Sequence, residues 1–235
     1  MFAIGKGDNK MLYGKLSNES EQYRKTRAEL LKAEMALRDQ RERVAELRRG
    51  LPLDTRVDDY LFHEGPIDLQ QDSPISEVRL SELFADPRKP LLVYQYMFGG
   101  AQKESCPMCA MWTDGFNAIT PHLRQRTNFA VAAQGEITAF RAWARRRDWH
   151  NLRLISSAGS SFKTDLQFQT VKEEQLPGVS VFVKHRDGSL RHFYSASAIM
   201  AENQYRGLDL LTPVWNFLDP TPEGRGDWLP GVQYD

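Results

Sequence analysis

The sequence predicts an α/β protein, in which a mixed β-sheet with flanking helices follows one long N-terminal helix. Residues 18–49 contain no glycine or proline and are rich in strong helix formers. After residue 57, short aromatic and β-branched runs alternate with helical stretches, as in layered βαβ folds. The length of 235 residues, with 41% hydrophobic and 26% charged residues, is that of one folded domain with an appendage.

The N-terminal part divides into two predicted segments. Residues 1–17 are interrupted by glycines and are predicted to be a flexible segment. The long helix occupies residues 18–50, and it ends where Gly50 supplies a left-handed cap and Pro52 prevents continuation. Aromatic or apolar side chains recur along it every seven residues, namely Tyr23, Leu30, Leu37 and Val44. This seam predicts either a helix that packs on its own domain or a homodimer formed through residues 18–49.

The α/β domain is predicted to occupy residues 51–219. Strands are predicted at residues 57–62, 91–98, 129–133, 152–156, 179–184 and 190–194. Helices are predicted at residues 107–126, 136–147 and 207–218, with a short helical turn at residues 80–84. The Asp187-Gly188 step marks a hairpin turn between the last two strands, so we expect a sheet that is parallel first and closes with an antiparallel pair. The tail, residues 220–235, is rich in proline and glycine and is predicted to be extended.

The charge balance and the apolar runs exclude several classes of partner. Lys plus Arg and Asp plus Glu each total 31, so no overall positive field attracts nucleic acid or an anionic membrane. The strongest apolar run, residues 91–98, is too short to cross a bilayer, and the N-terminus has no apolar segment typical of a secretory signal. We therefore expect a cytoplasmic protein that binds neither nucleic acid nor membrane.

The two cysteines form a CxxC motif after the strongest predicted strand. Pro107 falls at the first helical position, which places Cys106 at the N-cap and Pro107 and Met108 in the first turn. At an N-cap the helix dipole and free backbone N–H groups stabilise a thiolate, and such cysteines have pKa values lowered from about 8.5 to roughly 3.5–7.5. Cys109 lies one turn further along, where it can resolve a mixed disulfide formed by Cys106. The cysteine pair is the redox group, and no other cofactor is expected.

A zinc site is the structural alternative for a CxxC motif, and the sequence disfavours it. Structural zinc needs four ligands, yet no second CxxC is present. None of the five histidines forms a pair at short metal-ligand spacing. His185 and His192 would have to converge from a hairpin. No metal is therefore expected.

Several segments together point to a known family. The segment LLVYQYMFGGAQKESCPMCAMW, with RLSELF before it and SSAGSSF, LPGVSVF and RGLDLL after it, resembles the bacterial thioredoxin-like family catalogued as domain of unknown function 899. The leading helix resembles that family too, so that the resemblance covers about residues 18–220. It implies a thioredoxin-like fold and dithiol-disulfide oxidoreductase activity.

The resemblance also implies candidate substrate-binding residues. Thioredoxin-like folds carry a cis-proline before the strand that faces the dithiol, and its backbone pairs with the substrate. Pro177 is the candidate by analogy, although Gly178 intervenes before the predicted strand, and an ordinary trans proline is the alternative. Tyr96 and Trp112 are candidates to line the cleft beside the dithiol.

Three functions follow as hypotheses. The first is a thiol-disulfide oxidoreductase that acts on a disulfide-containing protein or a small thiol and is reset by an external reductant or oxidant. The second is a peroxiredoxin-like peroxidase, disfavoured because Lys103 stands where that pattern has Thr or Ser and because no proline lies between Leu91 and Cys106. The third is a non-catalytic scaffold or redox sensor assembled through the N-terminal helix.

Overall fold

The computed structural model describes residues 16–100, 105–172, 174–202, 204–224 and 226–233. The chain divides between Gly50 and Leu51 into two compact units. Most of the predicted flexible segment, residues 1–15, lies outside the described residues.

The first unit contains one long helix, α1 (Glu21–Arg49). Ser20 caps its start, where the hydroxyl accepts a hydrogen bond from the Tyr23 backbone N–H at 3.0 Å. At its end the N–H of Gly50 donates to carbonyls of the last turn, but Gly50 has φ −81° and is not the left-handed cap that the sequence predicted. No residue of α1 is buried, and Leu30 and Leu37 are each about half exposed. The predicted helix is thus confirmed, beginning three residues later than expected.

The second unit is built on one mixed sheet of seven strands. In chain order they are β1 (Leu61–Glu64), β2 (Ser76–Arg79), β3 (Leu91–Gln95), β4 (Asn128–Ala133), β5 (Leu154–Ser156), β6 (Gly178–Lys184) and β7 (Leu190–Ser197). Their spatial order is β2-β1-β5-β4-β3-β6-β7. Strands β3, β4 and β5 are parallel, while the outer strands on both sides pair antiparallel. The predicted α/β class with a mixed sheet is confirmed.

Helices cover both faces of this sheet. They are α2 (Pro107–Leu123), α3 (Ile137–Arg146), α4 (Phe162–Asp165) and α5 (Val214–Leu218), with short 3₁₀ turns at Leu80–Leu83 and Asp209–Leu211. Because successive side chains of a strand point to opposite faces, β3 contributes to two cores. Tyr94 packs against Trp112 and Phe116 of α2, and Val93 belongs to the core that includes Phe162 of α4 on the other face. Strand β3, which lies between β4 and β6, is therefore an interior strand that contributes side chains to both cores.

The prediction and the structure differ at three places, apart from the short helix α4, which the sequence did not predict. The strand expected at residues 57–62 lies at β1, where it runs antiparallel to β5, so the expectation of a sheet that is parallel first was wrong. Strand β2 was not predicted, because only Val78 of its four residues is buried and no alternating pattern is visible. The helix expected at residues 207–218 is interrupted before Val214, since Pro213 has no N–H to continue it.

Among its described residues, the tail contains turns but no helix or strand. It nevertheless packs on the α/β domain. Val232 contacts the core on the α2 side of the sheet, and its carbonyl accepts a hydrogen bond from the Arg147 side chain at 2.8 Å. Within the described residues, no helix is both long and apolar enough to cross a membrane.

Candidate active site

The CxxC motif lies at the start of α2. Cys106 is the N-cap, with φ −65° and ψ 119°, and Pro107 occupies the first turn. The Cys106 sulfur accepts a hydrogen bond from the backbone N–H of Cys109 at 3.4 Å. Cys106 is partly exposed, Cys109 is fully buried, and both are free thiols. The predicted N-cap position of Cys106 is confirmed.

The environment of Cys106 favours the thiolate. The thiol of Cys109 donates a hydrogen bond to the Cys106 sulfur, and this contact contributes most to lowering the pKa of Cys106 to about 6. Partial burial opposes the shift, while backbone N–H groups of Cys109 and Met108 add to it. Cys106 is therefore mainly ionised at neutral pH, as a nucleophile must be.

The environment of Cys109 favours the protonated thiol instead. Burial raises its pKa, and so do the hydrogen bond that it donates to Cys106 and the negative charge of that residue. Two groups act to lower the pKa of Cys109. They are the Tyr94 hydroxyl and the backbone N–H of Met97, which both point toward its sulfur. The Tyr94 hydroxyl is itself fully buried and makes no hydrogen bond of ordinary geometry with the described residues, so its contact with the Cys109 sulfur is a loose one. Cys109 is thus a protonated thiol that is surrounded by donors.

A second tyrosine, Tyr96, holds the residue that precedes Cys106 in the chain. The Tyr96 hydroxyl accepts a hydrogen bond from the Trp143 indole N–H at 2.9 Å. The same hydroxyl shares a hydrogen bond with the Ser105 hydroxyl, next to Cys106 in the chain. This network ties the residue before the dithiol to α3.

One comparison with known proteins decides the family. The family model described as "Bacterial protein of unknown function (DUF899)" matches residues 15–233. The chain belongs to the DUF899 family. No curated protein matches the sequence of this DUF899 protein.

Solved structures resemble the DUF899 protein at low sequence identity. A structure described as a peroxiredoxin is 13% identical, with 68% of this chain and 98% of that chain covered and a TM-score of 0.50. The mitochondrial 2-Cys peroxiredoxin from Plasmodium falciparum is 14% identical over 68% of this chain and 90% of its own, with a TM-score of 0.46. A putative thioredoxin reductase from Burkholderia cenocepacia is 15% identical, with 66% and 90% covered and a TM-score of 0.46. The peroxiredoxin with the TM-score of 0.50 confirms the predicted thioredoxin-like fold.

The predicted substrate-binding residues occupy different places in the DUF899 protein. Tyr96 and Trp112 are 0% and 1% exposed, so their side chains lie in the core and do not line an open cleft. Pro177 directly precedes β6, whose first residue, Gly178, pairs with Gln95 at the end of β3. The sheet therefore brings Pro177 to the strand end from which the CxxC loop departs. Its peptide bond is trans, because among the described residues only Pro74 follows a cis bond.

Sequence reasoning missed one residue of this site, Lys163. Its side chain is fully buried, and its ammonium donates to the Tyr96 carbonyl at 2.7 Å and to the Gln175 side-chain oxygen at 3.2 Å. Burial lowers the pKa of Lys163 to about 7, and the negative charge of Cys109 acts in the opposite direction. No sequence signal marks this residue, because a single lysine in a polar stretch is normally exposed.

Metal binding has no support in the part of the chain that the structure describes. Among those residues, no group of three or more His, Cys, Asp or Glu side chains is arranged to hold a metal ion. The donor set at the dithiol consists of two sulfurs, a phenol and backbone N–H groups, which cannot supply four zinc ligands.

Proposed function

We propose that this protein is a thiol-disulfide oxidoreductase in which Cys106 is the nucleophile and Cys109 the resolving thiol. The observation that carries the proposal is the asymmetry of the pair. Cys106 is partly exposed and its pKa is lowered to about 6, whereas Cys109 is buried one turn along with a raised pKa. Attack by the accessible thiolate followed by attack of the inner thiol is the order that this arrangement favours.

The chemistry proceeds in two displacements. The Cys106 thiolate attacks one sulfur of a substrate disulfide, forms a mixed disulfide with it and releases the other sulfur as a thiolate. Cys109 then loses its proton and attacks the Cys106 sulfur, which forms the Cys106–Cys109 disulfide and releases the second substrate thiolate. The two electrons gained by the substrate come from the cysteine pair, and an external dithiol reductant restores them. The same steps run in reverse with an external oxidant.

The first displacement prepares the second. In the free pair, Cys106 raises the pKa of Cys109 by accepting its hydrogen bond and by carrying a negative charge. Both effects require a Cys106 thiolate, and a mixed disulfide has no charge on this sulfur. Formation of the mixed disulfide therefore lowers the pKa of Cys109, while the donors Tyr94 and Met97 stay beside it. Cys109 becomes reactive only after Cys106 has captured a substrate.

The position of Pro177 favours a substrate-binding site at the end of β3. Pro177 lies beside the end of β3, and its carbonyl accepts a hydrogen bond from the Ala198 N–H at 3.2 Å. The Leu176 N–H donates to the Phe168 carbonyl at 2.9 Å and Pro177 has no N–H, so these residues offer no donor for strand pairing. We propose that the substrate lies beside Pro177, near Cys106, without pairing as a strand. Disulfide-containing proteins and small thiols in the cytoplasm are the proposed substrates.

A peroxidase is the second candidate, since a low-pKa thiolate also attacks peroxides. In that reaction Cys106 takes one peroxide oxygen to become a sulfenic acid, an alcohol or water leaves, and Cys109 condenses with the sulfenic acid to form the disulfide and water. The pKa of Cys106 serves both reactions equally. The two candidates therefore differ only in the first substrate.

Activity measurements on the full-length protein separate these functions. We expect the reduced protein to reduce a protein disulfide faster than it consumes hydrogen peroxide, with a dithiol reductant in both assays. The Cys109→Ser variant should accumulate a stable mixed disulfide at Cys106, visible by mass spectrometry, because no thiol remains to resolve it. The matched Cys106→Ser variant should capture nothing. Faster peroxide consumption would favour the peroxidase, and inactivity in both assays would favour the scaffold.

A further inference from the structure

The Tyr96–Met97 peptide group lies between a buried ammonium and the resolving thiol. Its carbonyl oxygen accepts a hydrogen bond from Lys163 at 2.7 Å. Its N–H interacts with the Cys109 sulfur and thereby acts to lower the pKa of that thiol. In a trans peptide these two groups point in opposite directions within one plane, so Lys163 and Cys109 lie at opposite edges of the peptide group. The contacts form a continuous chain from the ammonium through the peptide to the sulfur.

The charge of Lys163 has no carboxylate partner among the described residues. Its side-chain hydrogen bonds go to the Tyr96 carbonyl and to the Gln175 side chain, which are both neutral. Gln175 is held in turn by the Gly99 carbonyl, to which it donates at 2.7 Å. A buried ammonium without a carboxylate is costly, and such groups are most often retained for a function.

A cation at the carbonyl end strengthens the N–H at the other end. Hydrogen bonds in a chain polarise one another, and this effect is largest where little water is present. Lys163 and Cys109 are both fully buried. The Met97 N–H is therefore a better donor to a Cys109 thiolate when Lys163 is protonated. The titratable groups that interact with Cys109 are Cys106 from its own helix, the tyrosines Tyr94 and Tyr96, and Lys163.

We propose that Lys163 is a positioning residue for the resolution step, in which its positive charge stabilises the Cys109 thiolate through the Tyr96–Met97 peptide group. This inference rests on the proposed function. In the step itself the Cys109 thiolate attacks the Cys106 sulfur, the bond between Cys106 and the substrate sulfur breaks, and the leaving thiolate takes up one proton in exchange for the one that Cys109 lost. Lys163 transfers no proton in this step, and its contribution requires the protonated form, whose fraction falls as the pH rises through its pKa of about 7.

A chromogenic disulfide separates the two displacements in one experiment. Dithiobis(nitrobenzoate) releases one coloured thiolate when Cys106 attacks it and a second when Cys109 resolves the mixed disulfide. In Lys163→Met we expect an unchanged first phase and a slower second phase. If the pKa of Cys109 rises by about two, the thiolate fraction falls about a hundredfold, and a Brønsted coefficient of about 0.5 leaves a net slowing of about tenfold.

Further variants distinguish the charge from a structural role. Lys163→Arg keeps the charge and should recover most of the second-phase rate. Lys172→Met removes an exposed lysine and should change neither phase. Lys163→Gln provides the same neutral substitution if circular dichroism shows that Lys163→Met is unfolded. A second phase of normal rate in a folded neutral variant, or equal slowing of both phases, would overturn the inference. Absence of a first phase in the unsubstituted protein would instead refute the proposed function.

Discussion

Cys106 and Cys109 lie three positions apart, and α2 gives them different access to its unpaired N–H groups. The Cys106 side chain lies outside the first turn, where it accepts from the Cys109 N–H at 3.4 Å. Cys109 lies inside that turn, and its sulfur is directed at the core, where it meets Tyr94. The same three-residue spacing that allows a disulfide therefore separates an ionised sulfur from a protonated one.

We expect this difference to appear as selective alkylation by iodoacetamide. At pH 6 a thiol with a pKa of about 6 is half ionised, whereas an ordinary thiol with a pKa of about 8.5 is ionised to about 0.3%. Because the thiolate is the reactive form, the rate at Cys106 should rise with pH through about 6 and then level off. Mass spectrometry after partial reaction should find the adduct on Cys106. The unfolded protein is the control, in which both cysteines should react alike; adducts on Cys109 first would contradict the assignment.

The residues of the site differ in how far their sequence predicts them. Cys106, Pro107 and Cys109 form a local motif whose helix-start geometry follows from the chain itself. Lys163 joins the site through a hydrogen bond to a backbone carbonyl that is 67 positions away in the sequence. Every residue supplies a backbone carbonyl, so the identity of the accepting residue does not reveal this contact. The local part of the site was therefore predictable, and the part that depends on the tertiary fold was not.

At the scale of the elements, α1 is a long helix without a buried residue. None of its residues is buried, although Leu30, Leu37 and Leu47 are all apolar and are 50%, 53% and 66% exposed. Charged pairs such as Arg27 with Glu34, at 3.0 Å, stabilise the exposed helix only slightly. An apolar seam of this kind gains most if a second copy covers it.

We propose that α1 mediates self-association, and we expect its removal to change the oligomeric state. Analytical ultracentrifugation should find a dimer for the intact chain and a monomer for a chain that begins at Leu51. The full-length double variant Leu30→Glu with Leu37→Glu is the matched control and should also be monomeric, because two charges then face the seam. An unchanged mass for the shortened, folded chain would show that α1 has another role.

The elements that were predicted poorly share a physical cause. Strand β2 has one buried residue, Val78, so it carries almost none of the period-two pattern that identifies a strand. The segment before α5 has a helical pattern, but Pro213 cannot donate within a helix and divides it. The strands β3, β4 and β6 are extensively buried, and their apolar runs made them predictable. Elements with extensively buried residues were therefore predictable from the sequence, and elements with few buried residues were not.

At the scale of the whole α/β domain, the tail helps to connect separate elements. Arg147 follows α3 and donates both to Asp114 of α2, at 3.3 Å, and to the Val232 carbonyl, at 2.8 Å. The Asp114 carboxylate also accepts from the Trp149 indole at 2.7 Å. These contacts hold α3, the tail and α2, the helix that carries the dithiol, in one arrangement.

Truncation after Asp219 should therefore destabilise the α/β domain. The expected loss is about 1–3 kcal/mol in the free energy of unfolding, because one hydrogen bond of Arg147 and the apolar contacts of Val232 disappear. Urea denaturation of the two proteins measures this difference. A chain that ends at Gln233 is the control and should have the midpoint of the intact protein. Equal midpoints for all three chains would mean that the tail contributes nothing to stability.

The link between Lys163 and Cys109 has a consequence for how this family diverges. Its middle is a peptide group, which every amino acid supplies, so the identities of residues 96 and 97 are not constrained by this contact. Selection on the link acts only at its two ends. Loss of the resolving cysteine would leave a buried ammonium that stabilises no thiolate. Loss of the lysine would leave a cysteine that resolves the mixed disulfide slowly. The two positions should therefore covary among related chains, being retained together or lost together, even though no sequence motif joins them.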